Sequence, residues 1–186
     1  MVIKSKESLI EWLEQGNTVK YVFFWGHQKG PKGVTKSCFS QWYEIDFVVD
    51  GITYHSAEQF MMAKKAQLFN DDDTLAKILA STHPGHAKKL GRCVLGFDES
   101  VWIAHRFDIV VEANRAKFSQ NSELADFLLA SNDRVLVEAS PVDKVWGIGL
   151  AGDHQDAANP ILWPGLNLLG FALMQVREEL LGSVDI

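Results

Sequence analysis

Cysteine is scarce in this chain: Cys38 and Cys93 are the only two among 186 residues. They stand far apart and without metal-ligand spacing, which excludes a disulfide framework and a cysteine-based zinc site. Such usage fits a reducing compartment, with both thiols structural. No apolar run is long enough to span a bilayer, and the opening Met1-Val-Ile-Lys-Ser-Lys-Glu-Ser8 lacks a signal-peptide core. A cytoplasmic location without membrane partners is the expectation. Excess positive charge is missing as well. A net charge of −6 argues against avid, sequence-independent binding of nucleic acid, while one arginine and a few backbone amides would still suffice for a single nucleotide.

Several catalytic signatures are absent too. No serine sits in a nucleophile elbow. Gly147, Gly149 and Gly152 lack the dinucleotide-binding spacing, and no P-loop lysine accompanies them. They do make their segment permissive of close backbone approach. His83 and His86 are three apart, with no third ligand at zinc spacing. Asp71, Asp72 and Asp73 are adjacent and point different ways, so they read as a helix cap. Neither a metal nor a cofactor is expected.

A core is what the chain does have, since 47% of its residues are apolar. The spacing predicts an amphipathic helix over 5–15, a buried strand over 21–25, and a polar loop over 27–37. Three lysines of that loop (Lys29, Lys32, Lys36) are placed to line an anionic substrate's path, or simply to be solvated. Alternation of Ile45, Phe47 and Val49 predicts a strand over 43–49, which Asp50-Gly51 turns back into 52–54. Helices are expected from Ser56, over 74–80 and 84–91, over 99–118 behind Asp98, and over 123–130. A strand over 134–138 precedes a last helix that Gly182 ends. No repeat or linker divides the chain. Helices outnumber strands and do not alternate regularly with them, which predicts an α+β fold: a mainly helical single domain with a small, largely antiparallel sheet.

The stretch from Tyr54 to Ala66 organises the chemistry. Ser56 is its N-cap, and Glu58 falls in the first turn, where free backbone N–H groups favour a carboxylate. Lys65, two turns on, returns to nearly the same face, whereas Lys64 is rotated by about a hundred degrees. A second carboxylate, Asp143, follows a strand at a loop just before Trp146-Gly147. Paired carboxylates suit cleavage of a glycosidic bond, because the anomeric carbon becomes cation-like in the transition state. One carboxylate stabilises that charge or activates water, and a second group protonates the leaving atom. Trp102, Trp146 and Trp163 are candidate plates for a planar base, with core packing as the alternative for each. Arg92 and Lys65 are candidate phosphate ligands or plain surface cations.

Five ordered blocks carry a resemblance: Glu58-Gln-Phe-Met-Met-Ala-Lys-Lys65; Gly91-Arg92; Trp102 with Arg115-Ala-Lys-Phe118; Asp143-Lys-Val-Trp146-Gly147; and Gly165-Leu-Asn-Leu-Leu-Gly170 with Leu173-Met-Gln-Val-Arg177. Together, over about 21–181, they resemble the NADAR family of YbiA-like N-glycosidases. The resemblance implies a domain over 19–182, with 1–18 as a helical extension, and a hydrolase acting on N-glycosyl bonds. Its substrate would be a small phosphoribosyl or ADP-ribosyl compound. Members of the family act on early phosphoribosylamino-pyrimidine intermediates of riboflavin synthesis, and others remove ADP-ribose from guanine, which alone would bring in nucleic acid. A non-catalytic module for an ADP-ribose-type ligand is a further alternative; loss of Glu58 or Asp143 would favour it, and both are present. No obligate protein partner is implied. Carried over by position, Glu58 and Asp143 are catalytic, and Lys65 matches a lysine that attacks the anomeric carbon as a Schiff-base nucleophile or serves as a fixed charge. Trp102, Arg92, Trp146, Gly147 and Asn167 are expected to bind substrate. Met62 stands where some members carry glutamine, which removes a polar contact to the base.

Overall fold

A computed structural model describes residues 3–182; residues 1–2 of the expected N-terminal extension lie outside the described residues. The extension's helix, α1 (Lys6–Glu14), starts on a Ser5–Ser8 capping box. It buries Leu9, and Lys6 Nζ donates to the Trp163 carbonyl. Strand β1 (Tyr21–Phe24) follows, then a 3-10 turn over Lys36–Phe39, and then the hairpin β2 (Phe47–Val49) and β3 (Ile52–Tyr54). Asp50 (φ 52) and Gly51 (φ 77) supply the two left-handed positions that a two-residue hairpin turn of this hand demands. Strand β2 begins four residues later than the alternation predicts. Ile45 N–H bonds to the His55 carbonyl, but the ladder itself starts at Phe47 opposite Tyr54.

Helix α2 (Ala57–Leu68) is the centre of the domain, and α3 (Asp72–Leu79), α4 (Pro84–Gly91), α5 (Glu99–Ser119) and β3 pack around it. Most of its residues are buried, so it has no broad solvated face. Phe60 is fully buried and meets the Tyr54 and Phe47 rings at 4.9 and 6.1 Å, which fixes the hairpin against the helix start. Burying such a ring contributes about 1.5–3 kcal/mol. Gly91, at the end of α4, allows α2 and α4 to meet: a Cβ there would lie 2.0 Å from the Met62 sulfur. Asp71 caps α3 by accepting from Thr74 N–H at 3.0 Å, and its other oxygen takes Leu95 N–H at 2.8 Å. The aspartate run is thus a helix start.

Helix α6 (Ser122–Leu129) leads into β4 (Val135–Glu138), and α7 (Leu168–Gly182) packs across β4 and α5. The strands form two separate pairs. The hairpin is antiparallel, while β1 and β4 pair in parallel, with Tyr21 opposite Val135 and Phe24 opposite Glu138. The mainly helical α+β class holds, with half of the strand pairing parallel. Among the described residues no helix is long and apolar enough to cross a membrane.

Candidate active site

A cavity of about 180 Å³ lies where α2, the end of α4, the start of α5 and the loops after β4 and after the Lys36–Phe39 turn converge. Helix α2 brings Glu58, Met61, Met62 and Lys65 to it; the α4 end brings Lys88, Gly91 and Arg92; α5 brings Trp102. From β4 and its loop come Glu138, Asp143 and Trp146, and from the loop after Phe39 come Ser40, Gln41 and Trp42. Glu58 and Asp143, distant in sequence, therefore face one space.

Glu58 is placed by two backbone devices. Ser56 caps the helix by accepting from Gln59 N–H at 3.1 Å, and Glu58 N–H, free at a helix start, donates to the Gln41 carbonyl at 2.9 Å. The side chain is only 3% exposed, and its buried Oε1 has no hydrogen-bond partner. Burial pushes its pKa up to about 7, against the pull of Lys88, a Trp42 side-chain hydrogen bond and Arg92, with Asp143 adding to the rise. Near neutral pH this carboxyl is therefore present in both its protonated and its charged form.

Asp143 sits in a tight turn. Its Oδ1 accepts Val145 N–H and Trp146 N–H, both at 2.8 Å, and its own N–H reaches Ser140 Oγ at 3.2 Å. These bonds lock the carboxylate's direction and the start of the Trp146 segment.

Lys65 and Lys64 diverge as helix geometry requires. Lys65 Nζ donates to the Gly91 carbonyl at 2.8 Å and lies 4.1 Å and 5.7 Å from the Phe97 and Trp102 ring centres. Partial burial lowers its pKa, raising the fraction of neutral amine. Lys64 turns away to Glu112 at 3.2 Å.

Five cavity residues stand outside the sequence expectations: Glu138, Lys88, Ser40, Gln41 and Trp42. Glu138 reads only as the end of a strand. Its backbone is clamped by Asn167 Oδ1, which accepts Glu138 N–H at 2.9 Å, and by Ile148 N–H, which donates to its carbonyl at 2.9 Å. Burial pushes its carboxyl up to about 8; Asp143 and Glu58 add to the rise, and Lys88 opposes it. A carboxylate at a strand's C-terminal end, just before a glycine-bearing loop, is the signal that could have found it. Gln41 is held by Asn114 of α5, whose Nδ2 donates to Gln41 Oε1 at 2.8 Å. One turn further along α5, the fully buried Lys117 donates to the Cys38 and Ser40 carbonyls at 2.6 and 2.9 Å. Helix α5 thereby fixes the loop that carries Gln41 and Trp42.

Three expected contact residues are not at the cavity. Asn167 is fully buried, and its amide is spent on β4: Oδ1 on Glu138 N–H and Nδ2 on the Leu136 carbonyl at 2.9 Å. It positions Glu138 and has no face for a ligand. Gly147 is backbone packing: a Cβ there would stand 2.8 Å from the Glu138 carbonyl. Trp163 is core, its indole N–H donating to the Ala157 carbonyl at 2.8 Å. The loop lysines turn elsewhere as well: Lys36 donates to the Phe23 carbonyl, and Lys29 lies over the Tyr43 ring. His83 caps α4 by accepting from Gly85 N–H. Among the described residues no three His, Cys, Asp or Glu side chains are grouped to hold a metal ion.

A NADAR domain model matches residues 23–181. The chain belongs to the NADAR family. An N-glycosidase of Acanthamoeba polyphaga mimivirus is 47% identical over 167 residues, covering 87% of this chain and 97% of that one. The N-glycosidase YbiA of Escherichia coli is 32% identical over 142 residues, 76% of this chain and 80% of its own. Its NMR structure superposes with a TM-score of 0.69 at 26% identity, covering 90% of this NADAR chain and 88% of YbiA. A chloroplastic riboflavin biosynthesis protein of Zea mays is 36% identical over 135 residues, which is 70% of this chain and 19% of that protein.

Proposed function

We propose that this NADAR chain is an N-glycosidase that hydrolyses the bond between a base and a phosphorylated ribose, and that its substrates are early phosphoribosylamino-pyrimidine intermediates of riboflavin synthesis. One observation carries the reading: Glu58, Asp143 and a partly buried Lys65 share one cavity walled by Trp42, Trp102 and Trp146. The indoles supply faces for a planar base, and Arg92 with Lys88 at the α4 end supplies charge for a phosphate. As the glycosidic bond lengthens, positive charge grows at the anomeric carbon, where the Glu58 carboxylate stabilises it. Lys65, as neutral amine, bonds to that carbon while the base departs, and the sugar ring then opens to a Schiff base. Water activated by Asp143 releases the sugar phosphate and returns the amine.

The choice of substrate is supported by the cavity's size and by a relative's name. About 180 Å³ lies below the roughly 300–1,000 Å³ of most small-molecule sites, which suits one ribosyl-base unit better than an ADP-ribosyl one. A maize relative is a riboflavin biosynthesis protein. The test is a comparison of kcat/KM on phosphoribosylamino-pyrimidine and on ADP-ribosyl-guanosine. The first should be preferred by at least tenfold; preference for the second would reassign the substrate, and binding without turnover of either would make the chain a ligand-binding module.

Two further results are expected from this site. Chelators should leave turnover unchanged, because the charges that the reaction needs come from side chains; loss with EDTA and recovery with Mg²⁺ or Zn²⁺ would contradict that. Trp102→Ala should lower kcat/KM by about 10- to 100-fold, since stacking on a base is worth roughly 1–3 kcal/mol and the Lys65 contact goes with it. Trp102→Phe should retain a good part. Wild-type turnover in a folded Trp102→Ala protein would reduce this residue to packing.

A further inference from the structure

We infer that Glu138 is the acid of this site: its carboxyl supplies the proton that lets the base leave. The inference rests on the N-glycosidase reading and assigns a third carboxyl within the same cavity.

Glu138 lines that cavity together with Glu58 and Asp143, and its Oε2 is buried without a hydrogen-bond partner. Its position is held tightly. The strand pairs it with Phe24, Asn167 and Ile148 clamp its backbone, and the turn at Asp143 begins just beyond. Its fellow carboxylates have other commitments. Asp143 spends one oxygen on two backbone N–H groups, and Glu58 is drawn toward Lys88, Arg92 and the Trp42 side chain. The charged groups facing Glu138 are Glu58 from α2, Lys88 from α4 and Asp143 from its own loop. Lys65 and Arg92 complete the cavity, and Arg106 of α5 lies toward Asp143. Two carboxylates against one nearby cation, in a buried place, keep a proton on Glu138.

The chemistry calls for such a donor. A ribosylamino bond breaks with its electron pair on nitrogen, and an unprotonated arylamide is a very poor leaving group. In the proposed step the anomeric carbon–nitrogen bond breaks as the Lys65 amine bonds to that carbon. The departing nitrogen takes the Glu138 proton and leaves as a neutral amine. The Glu138 carboxylate regains a proton from solvent, and water later hydrolyses the Schiff base.

The test is the pH profile of kcat/KM on phosphoribosylamino-pyrimidine for wild type, Glu138→Gln and Glu138→Asp. Wild type should show an alkaline limb near pH 8, where the donor loses its proton. Glu138→Gln is isosteric and removes a buried ionisable group, so it should melt no lower than wild type at pH 8. Its kcat should fall about 100- to 1,000-fold, the range general acids contribute, and its alkaline limb should vanish. Glu138→Asp should keep the limb at a partial rate. A merely structural role would lower the rate equally at every pH. An alkaline limb that persists in Glu138→Gln, or a loss below threefold, would overturn the assignment while leaving the N-glycosidase reading intact. A wild type inert on this substrate and on ADP-ribosyl-guanosine would remove both.

Discussion

Glu58→Gln is expected to lower kcat by about a thousandfold or more and, above pH 7, to make the protein more stable. Both effects come from the same burial. In the proposed step the carboxylate stabilises the carbon that becomes cationic, and a neutral amide there would lose that charge stabilisation, commonly worth several kcal/mol. In the fold, that carboxylate is unwelcome. Its pKa is about 7 when folded, against an ordinary 4.5. The folded state therefore holds the Glu58 proton more tightly than the unfolded state does. Its contribution to stability is complete below about pH 4.5 and is lost as pH rises through 7. The loss is on the order of 3 kcal/mol at most. Urea melts at pH 5 and pH 8 should show wild type losing stability across this range and Glu58→Gln losing less. An active Glu58→Gln enzyme would remove this residue from the chemistry. A variant less stable than wild type at pH 8 would mean that Lys88 and Arg92 hold the carboxylate more firmly than burial opposes it.

Lys65→Arg should be inactive, while Lys64→Arg keeps wild-type turnover. An arginine at 65 keeps the charge near Gly91, Phe97 and Trp102 but offers no neutral amine at working pH. Lys64 points to Glu112 and over the Phe60 ring instead, outside the cavity. Borohydride added during turnover should attach the sugar phosphate to the peptide that contains Lys65, detectable by mass spectrometry. The pKa of Lys65 is lowered by its partial burial, which is the direction a nucleophilic amine needs. Full activity in Lys65→Arg, with no adduct in wild type, would leave the lysine as a charge that holds the phosphate.

How far the site was legible depended on whether its signals were local. Ser56 and Glu58 announce a helix start because capping is decided within four residues, and the structure places the cap where the pattern does. Asp50-Gly51 likewise fixes its own turn. The divergence of Lys64 and Lys65 follows from helix geometry alone. Strand β2 is shorter than the alternation predicts because alternation reports burial, and Ile45 is partly buried without belonging to the ladder. The parallel pairing of Tyr21 with Val135 has no local signal at all. The roles of Glu138, Gln41 and Lys117 have no local signal for the same reason. Each looks ordinary in its own segment and acquires its role only when β4, the loop after Phe39 and α5 meet. Asn167 shows the opposite error: a block shared with the family marks a residue as important, but its amide serves the backbone of β4.

The most direct measurement of the central claim is product analysis on purified protein given phosphoribosylamino-pyrimidine in EDTA. Free ribose 5-phosphate and free pyrimidine should appear in equal amounts with wild type, and neither above the spontaneous rate with Glu58→Gln. Equal rates with and without the wild-type protein, on this compound and on ADP-ribosyl-guanosine alike, would contradict the account.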